Sequence, residues 1–173
     1  MNYSELVLSS FWRADNILSQ GALDELYYPW MTDEGSLTAA LTERSAGNFE
    51  VKVLDQSIAV PRWHEQRKLL RPLSRAALIR QVELKIYGEA VIYARSIIPL
   101  TLVIKGRNGL ANLGRTPLGH LLFRDGDINI SSREFAEFQC RGRTIPARRT
   151  PYDYQGSRVL VTELFLPTLE KWL

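Results

Sequence analysis

A single cysteine, Cys140, stands among the 173 residues, which excludes an internal disulfide framework and any zinc site built from several thiolates. A reducing compartment is the natural home for such a chain. Long apolar runs are missing too: only nine residues pass without a charge between Arg95 and Lys105. A membrane-spanning helix needs about 20 apolar residues, so none is expected. The start, Met1-Asn2-Tyr3-Ser4-Glu5, has no basic segment followed by an apolar one, and the expectation is a cytoplasmic protein without a signal peptide. Histidine is nearly absent. His64 and His120 lie far apart and match no triad order; a surface place is expected for His64 and a helical one for His120. No GxGxxG, GxxxxGK[ST] or HExxH run occurs, so nucleotide-phosphate and zinc-hydrolase chemistry lack their usual signatures. Nothing identifies a base that would activate Cys140, which reads as an ordinary strand residue.

What is present suits one soluble domain. The chain is 45% hydrophobic and 24% charged, enough to build a core without metal or disulfide support. Its net charge of +3 conceals an asymmetry, with −6 over residues 1–57 and +9 over the rest. Such blocks fit nucleic-acid or membrane contact, an acidic segment folded over a basic one, or a basic pocket that steers in a small anion. The arginines are scattered along alternating strands with little aromatic interleaving beyond Tyr152 and Tyr154, which argues against nucleic acid.

Hydrophobic periodicity outlines the fold. Two short helical patterns come early, one around Asp24, Glu25, Leu26 and Tyr28, the other from Leu37 to Glu43 behind a Ser36 cap. Phe49 to Val53 alternates as a strand. The clearest element is a hairpin, Leu78–Tyr87 and Ala90–Ile98, with Gly88-Glu89 as a type II′ turn. Asn108 to Leu113 looks helical, and a further helix opens with Thr116 as cap and Pro117 in its first position. Arg133–Cys140 and Arg158–Phe165 read as strands. Antiparallel strands in succession with a few helices indicate an α+β fold, a single antiparallel β-sheet flanked by helices.

Three charges fall on apolar strand faces. Arg80 shares a face with Val82, Leu84 and Ile86, and Glu163 with Val159, Val161 and Phe165. With the turn at Gly88-Glu89, Val82 pairs with Arg95 and Arg80 with Ile97, which places Arg95 on the face of Arg80 as its diagonal neighbour. Long charged side chains are seldom buried unless paired. One reading is a mutual ion pair between an arginine and Glu163; the favoured one is a buried site for a small acid, because arginine forks match carboxylates. Free N–H groups where the helix starts at Thr116-Pro117-Leu118 would also suit an anion.

The residues also carry a resemblance. Leu113-Gly114-Arg115-Thr116-Pro117-Leu118-Gly119 followed by Leu121-Leu122-Phe123 resembles the LGxTPLGxxLF signature of bacterial chorismate pyruvate-lyases. Leu160 to Pro167 resembles that family's LLTELFLP ending, Arg133-Glu134-Phe135 its RDF-type strand, and Arg80 to Pro99 its hairpin. Further upstream, Gly35-Ser36-Leu37-Thr38 resembles its short helix start. The resemblance implies a site enclosed under helical flaps, and removal of the enolpyruvyl group of chorismate to give pyruvate and 4-hydroxybenzoate, the first step of ubiquinone biosynthesis. No cofactor or metal is implied, and the family suggests a monomer. It further implies that Arg80 holds the ring carboxylate with the backbone N–H groups of Leu37 and Leu118, that Glu163 meets the 4-hydroxyl, and that Arg95 lies near the departing enolpyruvyl carboxylate. The alternative is a non-catalytic small-carboxylate effector-binding domain of the same fold, as in some transcription regulators. Such domains normally follow a helix-turn-helix, and no recognition-helix pattern precedes the hairpin.

Overall fold

The computed structural model describes residues 3–7, 12–14, 25–69, 75–104, 110, 113–124 and 128–173. Among these residues eight strands make one antiparallel sheet: β1 (Arg13–Ala14), β2 (Phe49–Ala59), β3 (Ala77–Ile86), β4 (Glu89–Pro99), β5 (Ile128–Ile130), β6 (Glu134–Cys140), β7 (Arg143–Tyr154) and β8 (Ser157–Phe165). Their order across the sheet is β1-β6-β7-β8-β4-β3-β2, with β5 also paired to β7. The helices are α1 (Tyr3–Val7), α2 (Tyr28–Thr32), α3 (Leu37–Arg44), α4 (Trp63–Gln66), α5 (Leu100–Ile104) and α6 (Leu118–Arg124), and a 3₁₀ helix closes the chain at Pro167–Trp172. The α+β architecture with a single antiparallel sheet is therefore the one the strand pattern implies.

Both faces of the sheet are covered. On one, Leu37 and Leu41 of α3 and Met31 of α2 pack with Val82, Leu84, Ile92 and Phe165. On the same face, Leu102 of α5 and Leu118, Leu121 and Leu122 of α6 pack with Leu78, Ile98, Tyr152 and Val159. On the other face, Tyr93, Ala147 and Leu164 meet Tyr3 and Leu6 of α1 and Trp12. Ser36 caps α3 as its sequence position implies, with its Oγ accepting from Ala39 N at 3.3 Å. The early helical pattern begins only at Tyr28, with Pro29 in its first turn, while Asp24 lies outside the described residues. Most of the helix expected over Asn108–Leu113 also lies outside them.

The hairpin corrects its predicted register. Its central turn residues are Tyr87 and Gly88, with φ of 47° and 78°, since Ile86 pairs with Glu89. Two positive φ values make this a type I′ geometry rather than II′. The Tyr87 ring stacks on Trp172 at 5.4 Å, which helps hold a non-glycine residue in that conformation. Further along, the ladder slips between Leu84 and Lys85, leaving Val91 unopposed in β4. Arg80 thus pairs with Ser96, and Gln81 with Arg95. A slip of one residue turns a side chain to the opposite face. Arg95 therefore does not share the face of Arg80.

Strand β7 was not anticipated. Pro146 and Pro151 argue against an interior strand, because proline donates no ladder hydrogen bond. Each proline lies where a neighbour stops. Pairing with β8 begins at Ala147, whereas pairing with β6 ends at Arg149 before β5 takes over at Tyr152.

Candidate active site

Two cross-strand rows on the α3/α6 face build the site. One runs Arg80, Ser96, Val161 and Thr150 across β3, β4, β8 and β7; the next runs Val82, Ala94, Glu163 and Arg148. Two strand spacings and one pleat put the Arg80 and Glu163 backbones on the order of 10 Å apart, a gap that one ring between the side chains would fill. Above these rows sit Leu37 and Thr38 of α3 and Pro117, Leu118, Gly119 and Leu122 of the α6 region, closing a cavity of ≈ 50 Å³. At roughly 10–15 Å³ for one water, it has the room of a single small ring. The two covering helices touch at Gly119, where a Cβ would stand 3.4 Å from Thr38 Oγ1 and 3.6 Å from Ser36 Oγ.

The cavity is apolar along its walls and charged at its ends. Val51, Leu84, Ala94, Val161 and Phe123 supply the walls. Arg80, only 2% exposed, donates from Nη1 to Gln56 Oε1 at 2.8 Å, and from Nη2 to Gly114 O at 2.8 Å and Thr116 O at 3.3 Å. A guanidinium carries five N–H donors, so these three bonds leave others for an anion. Burial holds the Arg80 pKa below its ordinary value, as expected for a cation kept from water. By helix geometry the first-turn N–H groups of α3 and α6, at Leu37 and Leu118, have no carbonyl partner within their own helices. Helix α6 starts at Leu118, one residue later than the expected start at Pro117.

Glu163 marks the other end. Its Oε2 accepts from Arg148 Nε at 2.5 Å, and Arg148 is 1% exposed. An ion pair for Glu163 was one of the readings its position allowed, but its partner is neither of the arginines considered. Burial is the largest single influence and works against the Arg148 cation, yet the charge and hydrogen bond of Glu163, with the charges of Tyr152 and Asp33, together prevail and the pKa of Arg148 is raised. Tyr152, also on the cavity wall, is pushed above its ordinary value by burial and then by the Glu163 charge. The Ser96 side chain adds one hydroxyl to the wall beside Arg80, its cross-strand partner. The arrangement can hold a small planar acid with a carboxylate at Arg80 and a hydrogen-bonding group at Glu163.

The structure thus brings together Arg80, Glu163, Leu37 and Leu118. Arg95 is elsewhere. It lies on the back face, where its Nε and Nη2 donate to Glu65 Oε1 and Oε2 at 2.8 and 3.2 Å. Glu65 is 1% exposed and also accepts from Arg62 N, capping α4. Beside it Arg149 donates to Glu134 Oε2 and lies 2.8 Å from His64 Nδ1, so His64 is half-buried rather than a surface group. His120 is an exposed residue of α6. Sequence reasoning missed Arg148, whose only signal was its alternation with Thr150, Tyr152 and Tyr154. Among the described residues no group of three His, Cys, Asp or Glu side chains is placed to hold a metal ion. None of their helices is long and apolar enough to cross a membrane.

Residues 9–172 match the family described as chorismate lyase. The chain belongs to the chorismate lyase family. A relative described as a probable chorismate pyruvate-lyase, from Alcanivorax borkumensis, is 35% identical over 92% of this chain and 77% of its own. Another of that description, from Halorhodospira halophila, is 38% identical over 79% of each chain. Among solved structures, the effector domain of PhnF from Mycobacterium smegmatis shares the fold with a TM-score of 0.57 at 13% identity, over 78% of this chain and 90% of that one. A GntR-family transcriptional regulator from Bacillus cereus does so with a TM-score of 0.53 at 8% identity, over 70% and 93%. The chorismate lyase fold and that of these regulator domains are thus alike.

Proposed function

We propose that this member of the family converts chorismate to 4-hydroxybenzoate and pyruvate, and that this conversion is the first step of ubiquinone biosynthesis. The observation that carries this reading is one small cavity with a guanidinium at one end and a carboxylate at the other, Arg80 and Glu163. In it Arg80 holds the ring carboxylate, helped by the N–H groups of Leu37 and Leu118, and Glu163 faces the 4-hydroxyl. Arg95 takes no part at the cavity, since it is paired with Glu65 across the sheet.

The reaction balances without a co-reactant. The C4 hydrogen leaves the ring, the C3–O ether breaks, and the ring becomes aromatic; the methylene carbon of the departing enolpyruvate gains the proton to become the methyl group of pyruvate. The ring supplies much of the driving force. The protein orients chorismate and stabilises charge that builds on the leaving group, by proximity and preorganised electrostatics. A closed cavity that fits the aromatic product retains it, so product release limits turnover. The same reading has residues 1–173 acting as one domain, as a monomer in the cytoplasm. An effector-binding role rests on fold likeness to regulators at 13% identity or below, and no feature of the cavity favours it.

Mixing the purified chain with chorismate and following both products is the test. Equimolar pyruvate and 4-hydroxybenzoate, with a rapid first turnover before a slower steady state, is the expected result. Intact chorismate beside folded protein would overturn the reading.

A further inference from the structure

Arg148 makes hydrogen bonds that an ion pair with Glu163 does not need. While Nε donates to Glu163 Oε2, Nη1 donates to Trp30 O at 2.8 Å and to Asp33 O at 3.0 Å. Those carbonyls belong to the end of α2 and to the loop that continues through Gly35 and Ser36 into α3. Arg133 donates to the carbonyls between them, Met31 O at 3.2 Å and Thr32 O at 2.9 Å. A few residues on, Leu37 and Thr38 form cavity wall. The other end of the cavity repeats the device: Arg80 ties down Gly114 O and Thr116 O, immediately ahead of Pro117 and Leu118.

We infer that Arg148 is a positioning residue that couples whatever bonds to Glu163 to the seating of residues 30–36, an inference that rests on the proposed chemistry of the site. A guanidinium is rigid and planar, so any swing of Nε at Glu163 carries Nη1 with it. A ligand hydroxyl that fixes the Glu163 carboxylate therefore fixes the plane of Arg148 and its ties to Trp30 and Asp33. A ring lacking that hydroxyl leaves Glu163 free to turn and loosens those ties. Since linkage is reciprocal, a seated flap favours the hydroxylated ring by the same factor. The Arg80 end reads the carboxylate in the same way and seats residues 114–118. The hydroxyl end of the ligand thus seats residues 30–36, while the carboxylate end seats 114–118 and the start of α3 at Leu37, and an acid without the hydroxyl leaves 30–36 loose.

Amide hydrogen exchange on the full chain tests this with two probes, 4-hydroxybenzoate and benzoate. In the wild type, 4-hydroxybenzoate slows exchange over 30–36, 37–38 and 114–119, whereas benzoate, whose carboxylate still reaches the N–H groups of Leu37 and Leu118, slows it over 37–38 and 114–119 but not over 30–36. In Arg148→Lys, which keeps the charge and loses the fork, 4-hydroxybenzoate protection of 30–36 drops about ten-fold or more, the scale of one charge-assisted hydrogen bond. Protection of 114–119 stays, product dissociates faster, and the single-turnover rate falls far less than product affinity. Equal protection of 30–36 by the two acids, or unchanged 30–36 protection in Arg148→Lys, would overturn the coupling. The wild-type comparison decides alone should Arg148→Lys not fold. A wild type that shows the split protection but leaves chorismate intact overturns the lyase reading and keeps the coupling; one that binds neither acid overturns both.

Discussion

The two faces of the sheet bury arginines and glutamates of similar exposure, and they differ in what those charges have left to offer. On the back face, Arg95 closes on Glu65 with two bonds, and Arg149 lies among Glu134, His64 and the Trp12 ring. Lys68 takes the remaining Glu134 oxygen at 2.6 Å. Fork and carboxylate meet head-on there and consume each other. On the cavity face, Arg80 is held by carbonyls and an amide rather than by a carboxylate, so its positive charge is uncompensated by any neighbour it bonds. Glu163 gives one oxygen to Arg148 and borders open space. Buried charge does not by itself mark a site. Charge with bonding capacity left over beside a cavity does.

The sharpest way to break that contrast is to remove one member of a closed pair. Arg95→Met leaves Glu65 buried and unpaired, and it should cost about 3–5 kcal/mol of stability in urea unfolding. Adding Glu65→Leu should recover most of that loss, because a closed buried pair is close to neutral against an apolar replacement. A double variant short by more than the α4 cap that Glu65 also provides, about 1 kcal/mol, would mean the back-face pair does more than fill space. Next comes Arg80→Ala, which deprives a bound carboxylate of its partner; 4-hydroxybenzoate affinity measured calorimetrically should weaken by about 2–5 kcal/mol. Its effect on folding should be smaller than that of Arg95→Met, since no buried carboxylate is orphaned.

Glu163→Gln keeps an acceptor for Arg148 and removes the charge facing the ligand. Turnover should fall by on the order of 10²-fold with the folded structure retained, as read from steady-state rates beside circular dichroism. The smallest effect belongs to Glu134. Burial raises its pKa, but the hydrogen bonds and charges of Lys68 and Arg149 prevail and hold it below the ordinary 4.5. On acidification the unfolded chain takes up this proton before the folded one, so stability rises with pH across that window. The contribution is whole above pH 4.5 and is lost as pH falls through the depressed folded value. Glu134→Gln should flatten that acid limb of thermal stability by about 1 kcal/mol, the upper range for a partly exposed pair.

How far the sequence could be read follows from the same residues. Arg80 and Glu163 were legible because strand periodicity alone assigns a face, and a charge among Val, Leu and Ile stands out. Arg95 was misplaced because its face depends on the turn and on one unopposed residue, Val91; a ladder that slips by one reverses every side chain beyond it. Arg148 was hidden by two prolines that look like strand breakers and are tolerated only because neighbouring strands end beside them.

By itself, then, the sequence determined the local terms: which segments alternate, where Ser36 caps a helix, which charges cannot avoid burial, and which family motifs are present. Those depend on residues a few positions apart. Which arginine meets Glu163, which is sealed against Glu65, and which loops the guanidiniums hold were decided only by the tertiary structure. Pairing in a sheet is a relation between distant strands, and a shift of one residue in its register leaves composition and periodicity unchanged while moving every charge to the other side.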